Sequence, residues 1–213
     1  MCRLALMNKN GVQMVERAVG IKNFFDYLEI TMGGHGNGYA LVKDGQCIDL
    51  RKGVNLKNKT IAKAVLGEDF DWMIYHTRLA SCGTIKDSNC HPFQNPYNGD
   101  ILAANGTESD LVQYNYENHL NRTDTETLLL DFLRDEAYLA DLRINRSTLV
   151  GIHKGKAFAV KNCGSLYRLS LDKDTVCLAS DFPPALRNIA YPCLAYFEAG
   201  FTAMVQEDKK ATV

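Results

Sequence analysis

Apolar positions along this chain alternate between a period that suits strands and one that suits helices. Arg3 to Met7 is a short apolar run that predicts an opening strand, and Asn8-Lys9-Asn10-Gly11 reads as a turn by composition. Met14, Val15, Ala18, Val19, Phe24, Phe25 and Leu28 then recur at three- and four-residue spacing, which predicts helix with a weak point at Gly20. Tyr39 to Lys43 and Gln46 to Leu50 flank Asp44-Gly45, a two-residue signal for a tight hairpin. A short helix around Thr60 to Leu66 precedes a strand from Trp72 to Arg78.

In the second half, Ile101 to Ala104 is short and apolar, as a buried strand ending at Asn105-Gly106 would be. Thr123 and Glu126 form the Thr-x-x-Glu capping pattern of a long helix beginning near Asp124, with Leu128, Leu129, Phe132, Leu133 and Leu139 as its apolar stripe. Four strands follow: Leu149 to His153, Lys156 to Lys161, Leu166 to Leu171 and Thr175 to Ser180, with turns at Lys154-Gly155 and Asp172-Lys173-Asp174. Mainly antiparallel strands with interspersed helices predict a layered α+β domain whose helices cover the sheet faces.

Composition narrows the class. The 213 residues, 46% hydrophobic, suffice for one substantial core, and no repeat, linker or low-complexity tract divides them, so residues 1–213 are expected to form one domain. Lys plus Arg total 24 against 25 for Asp plus Glu, so no overall field draws the chain to nucleic acid or an anionic membrane. The first residues lack the apolar core of a secretory signal, and no run approaches the roughly 20 apolar residues of a membrane span. Seven irregularly spaced cysteines suit a reducing compartment better than a disulfide framework, and the expected location is the cytoplasm.

Candidate chemistry starts at Cys2. Removal of Met1 would leave a thiol and a free α-amine on one residue, and an α-amine titrates at about 7.7–8.0, where it can accept the thiol proton and return it. The competing reading is a small apolar residue in an opening strand. Arg78 ends a predicted strand before small residues and can hold a carboxylate by a two-pronged contact, or be an ordinary surface arginine. Asn105-Gly106 fits a hairpin turn, but the polar, helix-like Thr107 to Leu111 does not return as a strand, so the pair can instead present two donors to a ligand oxygen. Asp124 is favoured at a helix start by the dipole alone, and there it can also meet a ligand ammonium. His91, in the compact Asn89-Cys90-His91-Pro92-Phe93 turn, reads as structural rather than catalytic. The spacing of His76, Cys82, Cys90 and His91 fits no zinc pattern, and Gly33-Gly34-His35-Gly36-Asn37-Gly38 does not fit the dinucleotide fingerprint, so neither metal nor cofactor is expected.

Taken in order, these pieces resemble the class II glutamine amidotransferase domains of the N-terminal-nucleophile hydrolases. That family opens with a catalytic cysteine, as Cys2 here, and Gly34 to Ala40 loosely answers its glycine-rich stretch. Its H-T-R-x-A-T-x-G stands as His76-Thr77-Arg78-Leu79-Ala80-Ser81-Cys82-Gly83, and its N-A-H-P-F as Asn89 to Phe93. Its H-N-G stands as Ala104-Asn105-Gly106, its S/T-D-T-E as Thr123 to Glu126, and its late A-S-D/E as Ala179-Ser180-Asp181.

The resemblance implies a four-layer αββα sandwich of two mainly antiparallel sheets. Cys2 would attack the side-chain amide of L-glutamine, form a γ-glutamyl thioester and release ammonia, with Asn105 and Gly106 stabilising the oxyanion. Arg78 would bind the α-carboxylate and Asp124 the α-ammonium, with Thr77 and Ser81 of the same motif also at the substrate. Ala104 stands where the family has histidine, and Leu79 where its aminosugar-forming members have tryptophan. The length matches the glutaminase domain alone, so the ammonia acceptor is expected to be a separate synthase subunit. A stand-alone hydrolase of γ-glutamyl amides and a catalytically silent interaction module are the alternatives.

Overall fold

The computed structural model describes residues 2–81, 83–133, 146–169 and 172–199. Strand β1 (Arg3–Asn8) leads into α1 (Lys9–Val19) and α2 (Ile21–Met32), followed by the hairpin β2 (Asn37–Lys43) and β3 (Gln46–Gly53), helix α3 (Asn58–Gly67) and β4 (Trp72–Thr77). The middle comprises β5 (Phe93–Gln94), β6 (Ile101–Asn105), α4 (Ser109–Glu117) and α5 (Asp124–Thr127). Then come β7 (Thr148–His153), β8 (Lys156–Lys161), β9 (Tyr167–Leu169), β10 (Cys177–Ala179), α6 (Pro184–Arg187), β11 (Tyr191–Pro192) and β12 (Ala195–Phe197).

Among the described residues these strands make two sheets, ordered β11-β9-β10-β1-β4-β2-β3 and β12-β8-β7-β6-β5, and every pairing is antiparallel. The period-two alternation of each strand explains the layering, because successive side chains leave opposite faces of a sheet. On β1, Ala5 and Met7 point to the helices while Leu4 and Leu6 point to the other sheet; on β6, Ile101 and Ala103 meet that inter-sheet core while Leu102 and Ala104 face α4 and α5. Three cores therefore lie between four layers, the αββα sandwich that the motifs imply.

Helix α2 is the main cover of the first sheet. It buries Ile21, Phe24, Phe25 and Leu28 completely, at the three- and four-residue spacing of one helix face. Each such side chain is worth about 1.5–3 kcal/mol on burial, so this stripe, rather than capping, holds the helix down.

Several expectations need correcting. Asn8 to Gly11 is not a turn: Asn8 is the N-cap of α1, its side chain accepting from Gly11 N at 2.9 Å and Val176 N at 3.0 Å. Asparagine and glycine are turn-formers because they satisfy or relax the backbone locally, and a helix N-terminus needs the same service. The long helix expected from Asp124 stops as α-helix after one turn and continues as a wide turn over Leu128–Phe132, closed by Leu133 N donating to the Leu128 carbonyl at 2.8 Å. Leu139 of its predicted stripe lies outside the described residues. The strand predicted to end at Leu171 is described only over Tyr167–Leu169, and the one predicted from Thr175 to Ser180 is shorter, Cys177–Ala179.

Candidate active site

The ladder between β1 and β4 pairs Arg3 with Thr77, which sets Cys2 beside Arg78 at the adjoining ends of two neighbouring strands. Asn105 closes β6 of the other sheet, and the two sheets meet here: Cys2 N donates to Asn105 Oδ1 at 2.7 Å, a buried contact. In the encoded chain this nitrogen belongs to the Met1–Cys2 peptide. It stands for the α-amine that removal of Met1 would free, and Asn105 Oδ1 is an acceptor suited to either.

The Cys2 side chain is almost buried, and its sulfur accepts from Leu79 N at 3.3 Å. Burial raises the thiol pKa above its ordinary value, opposed by the Leu79 N–H and the Arg78 charge. The resting sulfur is thus a protonated thiol.

Asn105 has one amide group with two ends. Its oxygen is taken by Cys2 N, and its Nδ2 makes no hydrogen bond among the described residues. The next residue must be glycine. Gly106 has φ +152, and a Cβ there would lie 2.7 Å from Ser147 Cα and 2.5 Å from its Oγ. The chain turns here towards α4 and not back as a hairpin, so the alternative to the tight-turn reading is what the fold contains.

Arg78 is no surface arginine: it is 4% exposed, with Nη1 donating to the Thr84 carbonyl at 3.0 Å. Its backbone is held by the glycine-rich segment. His35 N donates to Arg78 O at 2.9 Å, Arg78 N donates to Gly36 O at 2.8 Å, and His35 Nδ1 accepts from Ala80 N at 3.0 Å. Gly36, at φ +128, lies so close to Cys90 that a Cβ would sit 2.4 Å from its sulfur. These stretches, which fit no nucleotide motif, form the bed on which the arginine loop lies. His35 and Thr84 carry no signal in the sequence beyond their place inside the glycine-rich stretch and beside the arginine motif.

Asp124 begins α5 behind the Thr123 cap, whose Oγ1 accepts from Glu126 N at 3.1 Å, and Asp124 Oδ2 accepts from Glu108 N at 2.8 Å. A cavity of about 20 Å³ is lined by Cys2, Arg78, Ser81, Ala104, Gly106 and Asp124, with Leu79, Ala80, His91, Thr123 and Thr125 completing it. A second space of about 290 Å³ opens on the far side of Thr123 and Asp124, walled by Thr84, Asn89, Val112 and Tyr116 among others.

Of the predicted site residues, the fold brings Cys2, Arg78, Ser81, Asn105, Gly106 and Asp124 together. Ser81 shares a hydrogen bond of 2.8 Å with Thr107 across the rim. Thr77 is not at the cavity: it is fully buried, and its Oγ1 packs where a Gly33 Cβ would be 2.1 Å away, on the helix side of the sheet. Cys82 lies outside the described residues. Among those described, no cluster of three His, Cys, Asp or Glu side chains is placed to hold a metal, and no helix is long and apolar enough to cross a membrane.

Comparison with solved structures agrees with the layering. The glutamine phosphoribosylpyrophosphate amidotransferase of B. subtilis, complexed with ADP and GMP, superposes with a TM-score of 0.61 at 14% identity over 91% of this chain and 44% of its own. A structure titled as the allosteric regulatory enzyme of purine biosynthesis gives 0.57 at 17% identity, over 92% and 45%. A glutamine aminotransferase class-II domain protein from Silicibacter pomeroyi gives 0.53 at 13% identity, over 92% and 98%. The chain thus spans less than half the length of the first two, and at these identities the likeness speaks for the fold. Comparison with curated proteins returns no significant match.

The fold is therefore that of the N-terminal-nucleophile amidotransferase domains. The profile described as glutamine amidotransferases class-II matches residues 16–152, and this chain belongs to that family. The matched stretch holds Arg78, Asn105, Gly106 and Asp124; Cys2 precedes it and is placed beside them by the fold.

Proposed function

We propose that this chain hydrolyses the side-chain amide of L-glutamine through a Cys2 thioester and supplies the ammonia to a separate synthase subunit in the cytoplasm, residues 1–213 acting as one glutaminase domain. The observation that supports the reading is the 2.7 Å bond from Cys2 N to Asn105 Oδ1, the two residues to which the mechanism gives the roles of nucleophile with its base and of oxyanion donor.

In this mechanism the freed α-amine takes the thiol proton as sulfur attacks the γ-carbonyl carbon. Negative charge develops on the carbonyl oxygen and is met by Asn105 Nδ2 and Gly106 N–H. Collapse breaks the C–N bond, the α-ammonium returns its proton to the leaving nitrogen, and ammonia departs. Water activated by the same amine then hydrolyses the thioester to glutamate. Arg78 and Asp124 receive the α-carboxylate and α-ammonium, fixing the amide at the sulfur.

The test is glutamate release from glutamine by protein whose intact mass shows Met1 removed, beside Cys2→Ala and a form that retains Met1. Both altered forms should be inactive; undiminished release by either overturns the mechanism. Turnover on bulkier γ-glutamyl amides exceeding that on glutamine would transfer the proposal to the stand-alone hydrolase. Failure of a glutamine-analogue electrophile to label Cys2 would favour the silent module.

A further inference from the structure

The imidazoles of His76 and His91 take no part in these steps, yet they satisfy both backbone polar groups of Ala104, the residue before the oxyanion donors. Strand β5 pairs with β6 through Phe93↔Leu102 and Gln94↔Ile101 and ends there. Extending that register sets His91 opposite Ala104, where the outward N–H and C=O of a buried strand would need a backbone partner. Two side chains serve instead: Ala104 N donates to His91 Nδ1 at 3.2 Å, and His76 Nε2 donates to the Ala104 carbonyl at 3.1 Å. The rings stack on each other, 4.2 Å between centroids and 21° from parallel.

Both rings are neutral. Burial takes His76 down to about 3 and His91 well below the ordinary histidine value, and stacking two buried cations would be worse still. A neutral ring carries one N–H, so the Ala104 carbonyl fixes that of His76 on Nε2 and the Ala104 N–H requires His91 Nδ1 to be an acceptor. His76 is fully buried and its Nδ1 has no hydrogen-bond partner. A ring nitrogen left bare in the core is a penalty the fold accepts, and what it gains is the bond to Ala104.

We propose that the stacked His76–His91 pair is the positioning device for the oxyanion donors, clamping the backbone on both sides of the Ala104 Cα so that the Asn105 amide and the Gly106 N–H that follow are held in place. The inference rests on the glutaminase reading above. It also accounts for a short Ala104: the backbone, not the side chain, is what the two rings grip.

The experiment uses the full chain with Met1 removed and compares wild type, His91→Phe and His91→Asn. Phenylalanine keeps a stacking ring without the acceptor, whereas the asparagine Oδ1 replaces Nδ1 at nearly the same place. Three quantities are read: kcat and KM for glutamine, the alkylation rate of Cys2 by iodoacetamide, and inhibition by glutamate γ-semialdehyde. That aldehyde adds the Cys2 thiol across its carbonyl; a C–S bond forms, the C=O π bond opens, and the resulting oxygen occupies the oxyanion site. A displacement of the donors on the order of 1 Å can cost about 100-fold in rate. His91→Phe is therefore expected to lower kcat and weaken the aldehyde by a common factor of about 10 to 100, with KM and alkylation within twofold, and His91→Asn to recover most of both.

Unchanged kcat in His91→Phe overturns the proposal, as does a parallel loss of kcat, glutamine binding and alkylation, which would mark a merely structural ring. If His91→Phe does not fold, His91→Gln, which keeps an amide but displaces the acceptor, replaces it under the same criteria. Failure of the glutaminase reading is distinguishable, because wild type itself would then release no glutamate and bind no aldehyde.

Discussion

Replacing Asn105 by aspartate separates the two ends of its amide. The Oδ1 acceptor for Cys2 N, 2.7 Å away, is kept, while the Nδ2 donor is lost and a negative charge arrives where the oxyanion would form. Removal of one oxyanion donor typically costs about 10²–10³ in kcat, roughly 2.7–4 kcal/mol. The added carboxylate opposes the developing charge, so the loss in Asn105→Asp should exceed that in Asn105→Ala. Folding should be little affected, because the acceptor at the buried Cys2 nitrogen survives. KM should stay near the wild-type value if Arg78 and Asp124 hold the other end of the substrate, as proposed. The assay is glutamate release coupled to glutamate dehydrogenase, with thermal unfolding as the control. An Asn105→Asp variant turning over within tenfold of wild type would refute the assignment of Nδ2 as a donor to the transition state.

Three further outcomes are expected. Arg78→Lys should raise KM for glutamine by about tenfold or more with a smaller change in kcat, because a point charge cannot reproduce a two-pronged carboxylate contact; steady-state kinetics will show it. The buried Cys2 thiol, its pKa raised, should react slowly with iodoacetamide at neutral pH and faster as the pH climbs past the ordinary thiol range. The linked sign is that the unfolded thiol ionises first, so this residue's contribution to stability is present below the ordinary thiol value and declines as pH rises through it, a decline that Cys2→Ala should abolish in pH-dependent denaturant melts. Gly36→Ala, facing Cys90 at 2.4 Å with φ +128, should destabilise the fold by about 1–3 kcal/mol and loosen the Arg78 loop, lowering both the thermal midpoint and the affinity for glutamine.

Much of this fold is written in local pattern. The alternation of Leu4, Ala5, Leu6 and Met7 gives a strand buried on both faces, and the stripe Ile21, Phe24, Phe25 and Leu28 gives a covering helix. The corrected elements are those whose local pattern is ambiguous. Asn8-Lys9-Asn10-Gly11 carries the same residues whether it makes a turn or starts a helix, and the contacts of Asn8 with Asp174 and Val176 are far off in sequence. The site divides likewise. Arg78, Asn105, Gly106 and Asp124 stand in motifs that survive in the letters, whereas the parts played by His35, Thr84 and Leu79 run through backbone contacts that a side-chain reading does not anticipate. Thr77 shows the reverse: membership in a motif does not put a residue on the cavity, because neighbours on a strand face opposite ways.

The joint between Cys2 and Asn105, like that between His76 and the Ala104 carbonyl, spans two sheets whose facing sides are filled by Leu4, Leu6, Ile74, Ala103 and Val150. The thickness of that filling sets how far the Cys2 sulfur stands from the end of β6, as a shim sets the gap between two plates. Enlarging Ala103 or trimming Leu6, neither of which lines the cavity, would thus be felt as a change in the spacing between Cys2 and Asn105.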